Sequence, residues 1–154
     1  MKVYKVERRA EKGGPVGVIA TVNGQPLIHI VHHSPTGFEF GYGGSGPADL
    51  ALSILANYFG EEPSEKALYH GRCKCWKPHQ DFKWRFIAPQ QGNSFEITED
   101  TISSWIVETK QELVETVVCD GCGEVMLTDE VEKITNAHGT ATMCFECCEE
   151  LAVK

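Results

Sequence analysis

The chain lacks the long apolar segments that cross membranes or direct export. No run of about 18 apolar residues occurs in its 154 residues, so the sequence predicts no membrane-spanning helix. The N-terminal segment MKVYKVERRAEKGG is followed by no apolar stretch, which is not the pattern of a signal peptide. Without an export signal, the seven cysteines are expected to be metal ligands or free thiols rather than disulfides. These features together predict a cytoplasmic protein.

The sequence also lacks a complete set of catalytic residues. Two adjacent histidines, His32 and His33, would point to opposite faces of a regular strand. No Ser or Cys lies near them in a nucleophile-elbow pattern, and no orienting carboxylate is evident. We therefore predict no catalytic residue and a protein that is not an enzyme. The alternative is a hydrolase or transferase that uses a histidine with a carboxylate such as Glu39 or Asp49.

Four cysteines form two Cys-x-x-Cys pairs near the C-terminus. Cys119 and Cys122 form the first pair and Cys144 and Cys147 the second, with 21 residues between the pairs. Two such pairs can bring four thiolates onto one ion in the tetrahedral arrangement of structural zinc sites. The pattern predicts a structural Zn²⁺ with no open position for water or substrate. The alternative is two unrelated pairs of buried or redox-active thiols.

The charge of the chain is divided unevenly. Residues 1–90 carry 11 Lys and Arg against 8 Asp and Glu, for a net charge of +3. Residues 91–154 carry 3 against 14, for a net charge of −11. A region this acidic repels nucleic acid unless its charges face away from the contact. The C-terminal half is therefore expected to favour a protein partner with a basic surface, or to act as a solubilising face.

Apolar periodicity and turn residues predict an α+β fold for residues 1–115, with a small antiparallel or mixed sheet and two helices. Asn23 and Gly24 between two β-branched runs predict a hairpin. One helix is expected to begin near Pro47 and end at Gly60, and another to follow a Thr98 cap. Strands are expected over residues 3–6, 16–22, 27–31, 37–40, 82–88 and 94–97. Residues 116–154 are expected to form a zinc-ribbon or treble-clef-like module, with a hairpin or loop that turns near residues 136–139.

Two segments have the composition of a ligand site. A glycine-rich turn precedes the first helix, where unpaired N–H groups favour an anion, although glycines also serve tight turns. No Lys follows in this loop, as a P-loop would require. Residues 66–86 interleave cations with aromatics, as in sites for nucleotides or single-stranded nucleic acid, although an ordinary basic surface is the alternative. The candidate ligand residues are Tyr42, Gly43, Gly44, Ser45, Gly46, His32, Lys83 and Arg85.

A second metal site is chemically possible within residues 66–86. Two imidazoles and two thiols lie within ten residues, at His70, Cys73, Cys75 and His79. The Cys-x-Cys spacing is tighter than the usual zinc knuckle, and four ligands this close would strain the loop. The alternative is a pair of surface thiols on a mobile loop.

The segment HHSPTGFEF that begins at His32, with the GYGGSGPADLALSIL stretch after it, resembles a known family. It is similar to small uncharacterised proteins of bacteria and their phages, grouped as a domain of unknown function. A later FKWRFIA segment at residues 82–88 and the acidic helix after it belong to the same resemblance, which covers about residues 1–115. The resemblance implies a compact α+β domain and brings no activity or catalytic residue. The predicted zinc module of residues 116–154 and the stretch with Cys73 and Cys75 are departures from the family or additions to it.

These observations lead to one main interpretation and one alternative from the interaction class. The main interpretation is a non-enzymatic zinc-containing protein that binds an anionic, nucleotide-like ligand or a protein partner, with oligomers possible. The resemblance implies a phage or prokaryotic setting, in a bacterial or infected host cell, and an anti-defence role against a host protein or nucleotide signal. The alternative is a zinc-ribbon adaptor for protein or nucleic-acid partners.

Overall fold

The computed structural model describes residues 1–10, 16–111, 113, 115–136 and 139–152. For residues 10, 16, 136 and 149–152 only the backbone is described. The architecture is mixed α+β: an antiparallel sheet with packed helices is followed by a small module around four cysteines. We call residues 116–152 the cysteine module. The predicted fold class is confirmed. Five α-helices occur in the described ranges, and four of them lie within residues 1–115, where the sequence predicted two.

The sheet is built on a long hairpin near the N-terminus. Strand β1 (Val3–Ala10) pairs antiparallel with β2 (Val16–Val22), and β3 (Gln25–Pro26) and β4 (Ser94–Thr98) complete the order β3-β2-β1-β4. Asn23 and Gly24 connect β2 to β3 with φ values of 49° and 80°. Both values are positive, as a type I′ turn requires, and the predicted Asn-Gly hairpin is therefore confirmed.

Helix α1 (Ser45–Phe59) lies at the centre of the hydrophobic core. Every residue from 46 to 56 is buried, so the helix packs on all sides rather than along one stripe. Gly60 ends the helix in the left-handed conformation at φ 69°, as predicted. The buried side chains around the helix come from the sheet and from the later helices, and include Tyr4, Val6, Phe40, Phe82, Ile87, Ile97, Ile102 and Trp105.

The prediction of a strand over residues 82–88 is wrong. Helix α2 (Glu65–Tyr69) is followed by α3 (His79–Phe82), which continues directly into one turn of π-helix, Lys83–Ile87. The rings of Phe82 and Phe86, one helical turn apart, both contact Trp105 of helix α4 (Glu99–Thr109). Residues four apart lie on the same face of a helix, so both rings contact the same neighbour. The alternation of aromatic and charged residues in this segment had suggested a strand. Thr98 caps α4 by accepting a hydrogen bond from the Thr101 N–H, as predicted.

Two further predicted strands, over residues 27–31 and 37–40, are also absent from the described sheet. Leu27 N still donates to Ala20 O of β2, but the amides of residues 30 and 32–34 bond to side chains of α1 instead of to a neighbouring strand. Ile30 N donates to Ser53 Oγ at 2.9 Å, and other amides of this segment donate to Asp49. Because side-chain acceptors satisfy these donors, the segment runs along α1 as an ordered loop.

The cysteine module contains two short hairpins and one helix. Strands β5 (Thr116–Val118) and β6 (Val125–Leu127) form the first hairpin, and β7 (Val131–Asn136) pairs with β8 (Gly139–Cys144). The pairing of residues 136 and 139 confirms a hairpin in this region, and its turn lies outside the described residues. Helix α5 (Phe145–Ala152) follows at once.

An ion pair connects the cysteine module to the α+β domain. The Arg72 guanidinium donates to both carboxylate oxygens of Glu130, at 2.6 and 3.0 Å. This carboxylate raises the pKa of Arg72, and the guanidinium lowers the pKa of Glu130. A second, looser pair joins Lys66 and Glu124 at 3.7 Å. The two parts of the chain therefore share a polar contact rather than a common hydrophobic core.

Candidate functional site

The four cysteines of the two Cys-x-x-Cys pairs converge on one point. The sulfur atoms of Cys119, Cys122, Cys144 and Cys147 all lie within 4.8 Å of one another. Cys122 Sγ and Cys144 Sγ are 4.0 Å apart. Four thiolates at the usual zinc–sulfur distance of about 2.3 Å would be about 3.8 Å from each other. The donor set and its spacing therefore fit one tetrahedral metal ion.

Local backbone geometry brings the two pairs together. Asp120 N donates to Thr142 O at 2.8 Å and Thr142 N donates to Asp120 Oδ2 at 2.7 Å, which ties the first pair to β8. Gly123 turns the chain with φ 74°. A Cβ on Gly121 would lie 2.9 Å from Cys147 Sγ, so only glycine allows the two pairs to approach this closely. These contacts and the small Gly121 place the two cysteine pairs next to each other.

Backbone amides favour the thiolate form at the buried centre of this cluster. The N–H groups of Cys122 and Cys144 lower the pKa of Cys119 to about 6. Cys144 N lies 3.3 Å from Cys119 Sγ. Metal ligands must be deprotonated thiolates, and these amides lower the cost of that ionisation. Cys148, next in sequence, lies outside the group, and its thiol faces the carbonyl of Met143 at 3.8 Å.

The second set of predicted metal ligands does not come together. The four-cysteine cluster is the one group of three or more metal-ligand side chains within 4.8 Å that the described part of the chain contains, and His70, Cys73, Cys75 and His79 form no such group. Both thiols are buried in the hydrophobic core rather than exposed on a mobile loop. Glu61 fixes this turn by accepting hydrogen bonds from Lys74 N and Cys75 N. The contact with Cys73 and the burial raise the pKa of Cys75, so this thiol stays protonated.

Asp49 anchors the loop that carries the adjacent histidines. Its fully buried carboxylate accepts hydrogen bonds from the backbone N–H groups of His32, His33 and Ser34, at 3.2, 2.8 and 2.9 Å. His29 Nε2 lies 3.2 Å from the same carboxylate. The two histidines thus lie in a clamped loop and not on opposite faces of a strand. Asp49 contacts their backbone, and no hydrogen bond joins it to their rings in the described structure.

The ring of His33, in the loop that Asp49 anchors, contacts the ring of His79 at the start of α3. The two Nε2 atoms are 3.1 Å apart, although 46 residues separate them in sequence. The Nδ1 of His79 donates to the carbonyl of Trp76, and the Trp76 ring also contacts His32 and His33. Burial lowers the pKa of His79 to about 4, and burial together with His32 lowers the pKa of His33. Sequence analysis did not find this pair, since no local spacing signals a contact between a loop and a distant helix.

Lys83 connects the histidine pair to the glycine-rich turn. Its ammonium donates to Gln80 Oε1 at 2.6 Å and to Gly43 O at 3.4 Å. Gln80 Nε2 in turn lies 2.8 Å from His79 Nε2. Lys83 is only 6% exposed, and burial lowers its pKa. A buried cation therefore lies directly beneath the turn.

Two aromatic rings cover the glycines of this turn. A Cβ on Gly43 would lie 2.1 Å from the Trp84 ring, and one on Gly44 would lie 2.2 Å from the Tyr42 ring. Trp84 is 59% exposed and Tyr42 is half exposed, so both rings lie against the turn and are accessible to solvent. The Lys83 ammonium lies 4.6 Å from the Trp84 ring centroid. We call Tyr42, Gly43, Gly44, Lys83 and Trp84 the aromatic–lysine site.

The remaining predicted ligand residues have different surroundings. Ser45 is exposed at the start of α1, and Gly46 is buried against Glu39. Arg85 lies at another surface, in a cavity that it shares with Asp100 and Glu108. Lys83 and Arg85 therefore do not share the face that a strand would have given them.

The glycines before α1 have a spacing that sequence analysis did not use. Gly41, Gly43 and Gly46 match GxGxxG, which in dinucleotide-binding folds follows a strand of a parallel βαβ unit. Here no strand precedes the turn directly, and every pairing in the described sheet is antiparallel. The parallel βαβ unit that accompanies this motif in dinucleotide-binding folds does not occur in the described structure, so the match does not indicate a Rossmann site.

Comparison with known proteins identifies the family of this chain. Residues 4–108 match the model of a family of unknown function, DUF6166, and the chain belongs to that family. The match includes the histidine pair and the aromatic–lysine site and ends before the four cysteines. Neither the curated proteins nor the solved structures contain a match to the chain. Among the helices that the structure describes, none has the length and apolar character to cross a bilayer.

Proposed function

We propose that this protein is a non-enzymatic, zinc-containing binding protein that takes an anionic, nucleotide-like ligand at the aromatic–lysine site. The observation that carries the proposal is the buried Lys83 ammonium, which lies 4.6 Å from the centroid of the exposed Trp84 ring and donates to Gly43 O, next to the exposed Tyr42. In this proposal the cysteine cluster holds a structural Zn²⁺, and the protein acts in a phage or prokaryotic setting against a host defence.

The chemistry of the site suits a planar ring that carries a negative charge. Tyr42 and Trp84 are both solvent-exposed aromatic side chains, and stacking a base on an exposed ring contributes about 1–3 kcal/mol. Lys83 supplies a positive charge where little water screens it. The N-terminus of the 15-residue helix α1 begins at the same turn, and its Gly44 cap has no side chain to occupy the free N–H groups.

The enzymatic alternative has weaker support from the described side chains. The Asp49 carboxylate holds three backbone amides and the ring of His29, and Glu39 pairs with Arg8 at 3.3 Å. Neither carboxylate forms a hydrogen bond with the ring of His32 or His33 in the described structure. His29 and Asp49 do form a histidine–carboxylate pair, but no hydrogen bond in the described structure joins the His29 ring to a Ser, Thr or Cys side chain, so a catalytic triad is not assembled.

Ligand binding can be tested with a panel of nucleotides and cyclic nucleotides. We expect at least one of them to raise the melting temperature of the protein and to perturb the Trp84 indole signal in NMR spectra. Trp84→Ala and Lys83→Met should each weaken binding by about tenfold or more, since each removes a stacking face or a charge. Arg85→Ala is the matched control, because Arg85 lies at another surface. A panel without effect, or a loss of binding confined to Arg85→Ala, would contradict the proposed site.

The zinc part of the proposal has its own test. Native mass spectrometry of the protein loaded with one equivalent of zinc should count about one zinc ion per chain. Cys119→Ser should lose the ion, whereas Cys148→Ser should keep it, since the Cys148 thiol lies outside the cluster. Equal zinc content in the two variants would show that the ligand set is wrong.

A second candidate function, docking of a protein partner, is favoured by a groove elsewhere on the domain. A cavity of about 740 Å³ lies between residues 27–31 and the end of α1. Ile28 and Val31 beside it are exposed, and Glu62 and Glu65 line its rim. An apolar floor with an acidic rim suits a basic, apolar segment of a partner. A labelled peptide of alternating Lys and Leu should bind, and Glu62→Lys with Glu65→Lys should abolish binding while Glu96→Lys on β4 should not.

A further inference from the structure

The contact between His33 and His79 brings two potential metal-binding nitrogens together, and it takes no part in the ligand stacking that we propose for the aromatic–lysine site. Two ring nitrogens from distant parts of the chain face each other at 3.1 Å. We propose that His33 and His79 form a two-histidine site for a divalent transition-metal ion of the zinc, nickel and cobalt class. This site is separate from the cysteine cluster, and it does not depend on the proposed nucleotide-like ligand.

The distance between the two nitrogens fits binding to one ion. Imidazole nitrogens bind such ions at about 2.0–2.1 Å, and two nitrogens 3.1 Å apart would then form an angle of about 100° at the metal. That angle lies between those of octahedral and tetrahedral ligands. Both rings present Nε2, so the same chemical donor comes from each side.

Direct hydrogen bonding accounts for this contact incompletely. The Nδ1 of His79 donates to the Trp76 carbonyl, so the neutral ring carries its proton there and has one lone pair, on Nε2. Two groups approach that lone pair: His33 Nε2 at 3.1 Å and the Gln80 amide nitrogen at 2.8 Å. The amide orientation is fixed because Gln80 Oε1 accepts from Lys83. One lone pair cannot accept both hydrogen bonds fully. A shared cation, in contrast, could be bound by the Nε2 lone pairs of both rings at once.

The surroundings of the pair resemble those of metal-binding histidines. Such histidines donate their second ring nitrogen to a carbonyl or carboxylate, which fixes the ring, and His79 does so to Trp76. Asp49 fixes the backbone of His33, whose N–H donates to Oδ1 at 2.8 Å. His79 is 3% exposed, whereas His33 is partly exposed, so the open positions of an ion would face solvent on the His33 side. The neighbouring Lys83 cation favours an anion or hydroxide at those positions.

The test uses the full chain saturated with one equivalent of zinc, so that the cysteines are filled, and then titrates Ni²⁺ by calorimetry and native mass spectrometry. We expect one further ion per chain, with shifts of the ring ¹⁵N signals of His33 and His79. His33→Gln should weaken this ion by about tenfold or more, since even the loss of an outer partner of a metal ligand costs about that much. His70→Gln, an exposed histidine away from the pair, is the control and should bind as the unmodified protein does.

His33 lies in a partly exposed loop, so its replacement should leave the core folded, which amide NMR spectra can verify. A second metal ion that survives His33→Gln would overturn the proposal. Ring signals of His33 and His79 that do not change at saturating Ni²⁺ would overturn it as well.

Discussion

The α+β domain and the cysteine module are held together by different means. In the domain, 20 buried residues form one hydrophobic cluster around α1, and Asp49 fixes a loop onto that helix. In the module, the corresponding cluster consists of Cys119, Met126 and Cys144. Three residues bury too little apolar surface to offset the entropy of ordering two hairpins. Structural zinc sites contribute about 10–16 kcal/mol to folding, so we infer that the module depends on the zinc ion proposed for it and the domain does not.

The largest expected effect of a single change within the domain is at Asp49. Asp49→Asn removes the negative charge that three backbone amides and His29 share and turns one acceptor into a donor. Hydrogen bonds to a charged group each contribute about 1.5–3 kcal/mol, so we expect a loss of about 3 kcal/mol of unfolding free energy, measured in urea. The zinc content should not change, because the module lies outside this contact.

Ser53→Ala serves as the matched control for Asp49. Ser53 holds the same loop through one neutral hydrogen bond, to Ile30 N, and its loss should cost about 1 kcal/mol. If both variants have the same stability, the carboxylate is not the main anchor. A loss of zinc in Asp49→Asn would show that the two parts are coupled more closely than we infer.

The pH dependence of domain stability should include a contribution from His79. Burial lowers its pKa from 6.5 to about 4, so the unfolded chain takes up a proton on acidification before the native protein does. Stability is therefore complete above about pH 6.5 and is lost as the pH falls towards 4. Between pH 7.5 and pH 5 the unmodified protein should lose about 2 kcal/mol more than His79→Gln, in urea titrations of the zinc-loaded protein. Equal losses would show that His79 is protonated in the native state.

The smallest predicted effect concerns the contact between the two parts. The Arg72–Glu130 pair is bidentate and partly buried, and a double-mutant cycle with Arg72→Gln and Glu130→Gln should give a coupling of about 1 kcal/mol. The exposed Lys66–Glu124 pair is the control, with an expected coupling near zero. The readout is the opening free energy of amides in β7 and β8 by hydrogen exchange. Equal couplings would indicate that docking does not depend on the buried pair.

Features with a local signal were predicted correctly from sequence. The Asn23 and Gly24 turn, the Gly60 end of α1 and the Thr98 cap each depend on the backbone preferences of a few adjacent residues. The convergence of the four cysteines was also predicted, although it joins distant segments, because two Cys-x-x-Cys pairs are the usual donor set of one tetrahedral ion.

Features that depend on contacts between distant segments were missed or assigned wrongly. Residues 82–88 alternate in a way that suits a strand, and only packing of Phe82 against α4 selects the helical turns. Residues 27–31 have strand propensity, but Ser53 on α1 accepts the hydrogen bond of the Ile30 amide, and Asp49 accepts those of the residues that follow. The His33 and His79 pair depends on the Asp49 clamp and the Trp76 carbonyl, neither of which a sequence pattern reveals.

Metal removal followed by hydrogen–deuterium exchange tests the difference between the two parts most directly. After the protein is treated with a strong chelator, amides of β5 to β8 should exchange within the shortest labelling time, while amides of β1, β2 and α1 keep their protection. Addition of zinc should restore the module. Protection of the module that persists without metal, or protection of the domain that is lost with it, would contradict the account.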